Sequence, residues 1–147
     1  MSAIGVDSLD HSIQETNLWL KAVMRHLETV DRHLAYAVLR ATLHALRDRI
    51  GPENAVHLGA QLPMLIRGLY YEGWHMAGTP TKERHKEAFL DHLRRTFGPR
   101  SEVDRERAAR AVFDVMWEKI DPGKVAKVVK LLPEELRALF PCLARGE

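Results

Sequence analysis

Eight histidines in a chain of 147 residues make metal ligation the first chemistry to consider. His26 and His33 stand seven residues apart, as do His85 and His92, and Glu53 precedes His57 by four. Seven and four are same-face spacings on a helix, so each pair would converge if its helix were unbroken. None grows into a full ligand set. Asp31 reads as a helix cap between His26 and His33, and Glu72-Gly73-Trp74-His75 crosses a helix-stopping glycine. Neither His-Glu-x-x-His nor a paired Glu-x-x-His is present. No metal and no other cofactor is expected.

Catalytic sets are equally incomplete. The nine glycines are scattered, which leaves no phosphate-cradling loop, and no serine sits in a nucleophile elbow. Asp114 and Glu118 would need a buried cleft to act as acid and base; with Lys119 beside them they read as surface charges. The lone Cys142 has no partner for an internal disulfide, and Pro141 and Leu143 offer no activating base. No catalytic residue is assigned, and a non-enzymatic protein is expected.

Binding chemistry concentrates in Gln61 to Pro80, "QLPMLIRGLYYEGWHMAGTP". Arg67, Tyr71, Glu72, Trp74 and His75 form the candidate binding set. Arg67 recurs as Arg137 in a similar phrase, "LLPEELRALFP", and either meets free carbonyls at a helix end, pairs with a carboxylate such as Asp48 or Glu118, or binds an anion. Tyr70, Tyr71 and Trp74 place three of the ten aromatic residues within five positions. Aromatic rings with a polar handle are enriched where proteins meet partners. Trp74 is expected at the seam between two halves of the chain, with Tyr71 and His75 facing outward.

The elements that position these residues repeat. Setting residues 12–71 over 82–141 without a gap pairs Leu20 with Leu90, Arg40 with Arg110, Ile50 with Ile120, Pro52 with Pro122, Leu62-Pro63 with Leu132-Pro133, and Tyr70 with Phe140. This predicts an all-α fold of about eight helices, two pseudo-equivalent four-helix halves from an internal duplication, joined through residues 72–81 into a single domain over residues 1–147. Ser12 with Glu15 suggests a capping box opening the first helix. Asp31 caps the second, whose Leu34, Val38, Ala41 and Ala45 and whose Leu39, Leu43, Leu46 and Ile50 give two apolar stripes, the mark of a central helix. Gly51-Pro52 and Asp121-Pro122 each end one helix and start another. Leu62-Pro63 and Leu132-Pro133 break the chain and launch a short helix, because proline lacks a donor and disfavours the helical region for its predecessor. Gly73 stops the helix in the first half and Pro141 in the second. Thr79 to Thr81 is read as the cap of the second half's opening helix, Gly98-Pro99 as its end, and Ser101 with Asp104 as a further capping pair.

Composition narrows the class. A formal charge of +2, with basic and acidic residues interleaved, makes nucleic acid an improbable partner, since the basic stretches Arg94 to Arg100 and Lys124 to Lys130 read as solvated helix faces. No apolar run approaches the roughly 20 residues of a bilayer span, so no membrane is expected. The acidic N-terminus with Asp7 and Asp10 is unlike a secretory signal, and a cytoplasmic protein is expected.

At "LPMLIRGLYYEGW" followed by "TPTKERHKEAFLDHL", with "TNLWLK" and "YAVLRATLHALRDRI" before them, the chain resembles the bacterial family known as domain of unknown function 2267, over about residues 9 to 141. The resemblance implies a small, helical, internally duplicated protein and carries no activity, cofactor or catalytic residue; the family's recurrent "LYYEGW" falls at Leu69 to Trp74. The function expected is a helical interaction or adaptor module, docking an unidentified protein partner or a second copy near residues 67–76. The alternative is a small-molecule or metal-binding protein, or an unrecognised enzyme, with Arg67, Glu72 and His75 lining a polar pocket between halves.

Overall fold

A computed structural model describes residues 5–97 and 103–147. Among these residues there are eight α-helices and no strand: α1 Asp7–Leu27, α2 Arg32–Arg49, α3 Pro52–Gly59, α4 Met64–Tyr71, α5 Lys86–Phe97, α6 Arg105–Lys119, α7 Pro122–Lys130 and α8 Glu134–Arg137. The all-α expectation holds.

The helix boundaries follow local chemistry. Asp31 accepts from the Leu34 N–H at 3.0 Å, Asp104 from the N–H groups of Glu106 and Arg107, and Asp121 from that of Gly123 at 3.1 Å, each satisfying a donor that the first helical turn leaves free. Gly51 takes a φ of 89°, open to glycine at little cost, and Pro52 is the first residue of α3. Pro63 and Pro133 are extended, and α4 and α8 begin at the following residue. Gly73, at φ 69°, turns the chain just beyond α4.

Two expected caps are corrected. Ser12 and Glu15 lie inside α1, which already begins at Asp7; Ser12 Oγ donates to the Ser8 carbonyl and Glu15 pairs with His11. Asp7 and Asp10 in the first turn favour this earlier start, being stabilised by the positive end of the helix dipole. Thr79 and Thr81 cap nothing: Thr79 Oγ1 donates back to Met76, Thr81 Oγ1 to Glu83, and α5 starts only at Lys86. Gly98, Pro99, Arg100 and Ser101 lie outside the described residues.

Four helix ends or starts recur seventy positions apart: Leu27 and Phe97, Arg49 and Lys119, Pro52 and Pro122, Met64 and Glu134. Buried residues share that spacing, including Trp19 and Phe89, Leu43 and Phe113, Leu46 and Met116, Ile66 and Leu136, and Tyr70 and Phe140. α2 and α6 are central and pack on each other; α1 crosses to α6, α2 to α5, and α3 meets α7. One buried cluster gathers side chains from all eight helices. Among the described residues no helix is long and apolar enough to cross a membrane.

The connection between α4 and α5 is tied to the end of α2. The Thr81 N–H donates to the Asp48 carbonyl at 2.8 Å, and Arg49 Nε donates to the Glu83 carbonyl at 2.7 Å. The candidate residues after α4 therefore lie between the end of that helix and the first anchored point, Thr81.

Candidate functional site at the end of α4

Helix α4 is short, and the carbonyls of a last helical turn have no partners within the helix. Here each of four consecutive carbonyls finds one. His44 Nε2 donates to Leu69 at 2.6 Å, Arg47 Nη1 donates to Tyr70 at 2.8 Å and to Glu72 at 3.0 Å, and the Trp74 N–H donates to Tyr71 at 3.2 Å. His44 and Arg47 are three positions apart on α2 and so share a face. Arg40, one turn earlier than His44, holds the Glu72 carboxylate at 2.8 Å. Burial lowers the His44 pKa, although its bond to Leu69 pulls the other way, so the ring serves as a neutral N–H donor.

This platform carries an aromatic pair. Tyr71 and Trp74 stack with ring centres 5.7 Å apart, and Tyr70 meets Tyr71 edge-on at 5.0 Å. Tyr70 is fully buried, its hydroxyl donating to Ala55 at 2.7 Å, and burial pushes its phenol pKa up. Tyr71 and Trp74 are half-buried, whereas Glu72, Gly73, His75 and Met76 are exposed. Gly59 makes room for the Tyr71 ring, since a Cβ there would overlap the Tyr71 hydroxyl. Seventy positions on stand Val129 and Pro141, neither a glycine nor an aromatic residue. Trp74 rests on Tyr71 and beside Arg47, both within residues 12–71.

Behind the corner lies a charged clasp. His92 on α5 reaches Asp48 at 3.4 Å through Nε2 and Glu83 at 3.2 Å through Nδ1, and all three side chains are mostly buried. Hydrogen bonds to Asp48 and Glu83 outweigh burial and push the imidazole up to about 9. At Asp48, burial acts to raise the pKa but is overcome by hydrogen bonds from His92 and Arg47 and by the Arg47 charge, which hold the carboxyl below its ordinary value. Arg47 Nε lies 2.8 Å from Asp48. One network therefore runs from the α4 carbonyls through Arg47 and Asp48 to α5.

The other candidates are spread out. Arg67 is spent on carbonyls, Nε to Gly59 at 3.0 Å and Nη2 to Leu62 at 2.9 Å, and Arg137 Nε donates to Leu132 at 2.6 Å. Both arginines thus donate to carbonyls, although the acceptors precede the helix that bears them; Asp48 and Glu118 are engaged elsewhere. Glu118 bonds Arg25 and His26, and His26 also approaches Asp114 at 3.6 Å. Burial raises the Asp114 pKa. His85 pairs with Glu135, so it does not converge with His92. Among the described residues no group of three His, Cys, Asp or Glu side chains is arranged to hold a metal ion. A cavity of about 340 Å³ does lie on the seam between α3 and α7, but its walls come from those helices and the residues that follow them, not from Arg67, Glu72 or His75.

The sequence reading missed His44, Arg47, Asp48, Glu83 and His92 as a connected set. For His44 and Arg47 a usable signal was present: a helix apolar on two sides must bury whatever polar residues lie between its stripes, and buried polar groups need partners.

A model of uncharacterized conserved proteins, the DUF2267 family, matches residues 16–139. No curated protein matches the chain.

Proposed function

We propose, because the chain belongs to that family and membership brings no activity with it, that the protein is a non-enzymatic helical interaction module. Its docking corner comprises Tyr71, Trp74, His75 and the exposed Met76. One observation carries this reading: a half-exposed aromatic stack is fixed from beneath, with every carbonyl from Leu69 to Glu72 bonded. Rings held in place before binding lose little freedom on docking, and such anchors dominate interface energetics. Arg67 and Glu72 support the corner from its flanks, through the carbonyls before α4 and through Arg40. The occupant is a protein, either a different chain or a second copy.

The clasp favours the same conclusion. Asp48, Glu83 and His92 satisfy one another, which suits a structural joint better than a proton-transfer centre poised for a substrate. We also infer that the halves descend from an internal duplication and form one domain, supported by the helix bounds seventy positions apart and by the exchanged contacts α1 with α6 and α2 with α5. A cytoplasmic location belongs to this proposal and fits a single, exposed cysteine.

The test is affinity capture from the native host, with the Tyr71→Ala protein as control. A partner retained by the parent chain and lost with Tyr71→Ala supports the reading; equal retention by both contradicts it. A second reading, small-molecule binding, is favoured by the cavity between α3 and α7.

A further inference from the structure

The cavity between α3 and α7 is built from positions that correspond across the two halves. Asn54 and Lys124 face it, as do His57 and Lys127, Leu58 and Val128, and Gln61 and Leu131, each pair seventy positions apart. Leu58 and Val128 are buried and make an apolar floor. Leu131, at 44% exposed, forms an apolar lip. The polar members divide by side: two amides and an imidazole come from α3 and the residues after it, two ammonium groups from α7. Among the described residues no carboxylate lines the cavity. Among the described residues neither Lys124 nor Lys127 has an ion-pair partner, while Asn54 spends one amide hydrogen on the Ile50 carbonyl at 2.9 Å.

Lys124 and Lys127 are three apart on α7 and therefore project together. Two uncompensated ammonium groups over an apolar floor disfavour a cation and leave a neutral ligand without a charge partner. They suit a molecule with an anionic end and an apolar body, with hydrogen-bonding groups opposite to fix its orientation. A volume of about 340 Å³ falls at the small end of organic-ligand sites.

We propose that the cavity between α3 and α7 is a binding site for a small organic anion, a carboxylate or phosphate monoester, whose charged end is held by Lys124 and Lys127 and whose body lies on Leu58 and Val128. His57 and Gln61 bond the polar atoms of the same ligand from the opposite wall. The site is separate from the docking corner, and the two stand or fall independently.

The test is backbone amide NMR of the full chain titrated with phenyl phosphate and with benzoate, using benzamide as a neutral control and inorganic phosphate as a control without an apolar body. Saturable shifts confined to residues 54–61 and 124–131, with either anion and a Kd below about 1 mM, are expected. Which anion binds more tightly identifies the headgroup. The Lys124→Gln/Lys127→Gln protein changes two exposed side chains and keeps the fold; it should bind at least about tenfold more weakly, and added salt should weaken the parent similarly. The proposal is overturned by shifts that fail to saturate, by a double variant that binds as the parent does, by benzamide binding as well as benzoate, or by inorganic phosphate binding as well as phenyl phosphate.

Discussion

The Arg47 guanidinium lies 6.0 Å from the centre of the Trp74 ring, while the same group holds the carbonyls of Tyr70 and Glu72. A single buried cation thus sets both the end of α4 and the position of the indole that follows it. Arg47→Met would remove the donor of two carbonyls and of Asp48 Oδ1, at a side chain only 4% exposed. The expected loss is about 3–5 kcal/mol, the usual cost of breaking a buried pair from one side, measured by chemical denaturation. Arg47→Lys should not restore it, since one ammonium cannot reproduce the fork that spans both carbonyls and the carboxylate. Full stability of either variant would show that the carbonyls find water instead.

The clasp predicts a pH dependence. His92 has its folded pKa raised from 6.5 to about 9, so its contribution is complete below about 6.5 and is lost as the pH rises through about 9. Asp48, with its pKa lowered, contributes above its unfolded value and loses that contribution as the pH falls through the folded one. Denaturation midpoints measured from neutral to alkaline pH should fall for the parent, and His92→Asn should be less stable at neutral pH with a flatter alkaline limb. A parallel decline in both would remove His92 from the account.

Trp74 separates ring from hydrogen bond. Its Nε1 is buried with no hydrogen-bond partner among the described residues, so Trp74→Phe keeps the stack and removes an unsatisfied donor; stability should stay within about 1 kcal/mol. Trp74→Ala removes a half-buried ring and should cost about 1–2 kcal/mol. A cost of about 4 kcal/mol for the alanine, as for an emptied core site, would mark Trp74 as core and weaken its role in docking.

Gly59 and Tyr71 should behave as a pair. Gly59→Ala places a methyl where the Tyr71 hydroxyl sits and should cost about 1–3 kcal/mol through overpacking. Most of that cost should vanish when Tyr71→Ala is also present, which a double-mutant cycle reads directly. Additive losses would mean that some neighbour other than Tyr71 excludes the methyl.

How much of this was legible in the sequence depended on range. Asp31, Asp121, Gly51-Pro52, Pro63 and Pro133 act on the next few residues, so composition alone located those helix boundaries. Tyr70 was legible as core because Phe140 stands at the corresponding position. The start of α1 was misplaced because Ser12 and Glu15 match a capping pattern, and only the packed helix shows Ser12 Oγ turned back to Ser8. Thr79 and Thr81 misled likewise, since their hydroxyls are used within the connecting segment. The Asp48, Glu83 and His92 clasp was illegible for another reason: its members come from α2, the connection and α5, and nothing in local spacing shows that the fold brings them within 4 Å. Arg67 drew attention as a candidate anion site, yet its donors are turned on backbone carbonyls.

The central claim is that the corner beyond α4 docks a protein, and site-specific photo-crosslinking in the native host tests it most directly. A photo-reactive residue is placed at His75, exposed beside Trp74, and in a second strain at His33, exposed near the opposite end of α2. The account predicts a discrete protein adduct from position 75, of twice the chain mass if the occupant is a second copy, absent from position 33 and lost when Tyr71→Ala is introduced. No adduct at position 75, or one that persists unchanged in Tyr71→Ala, would contradict it.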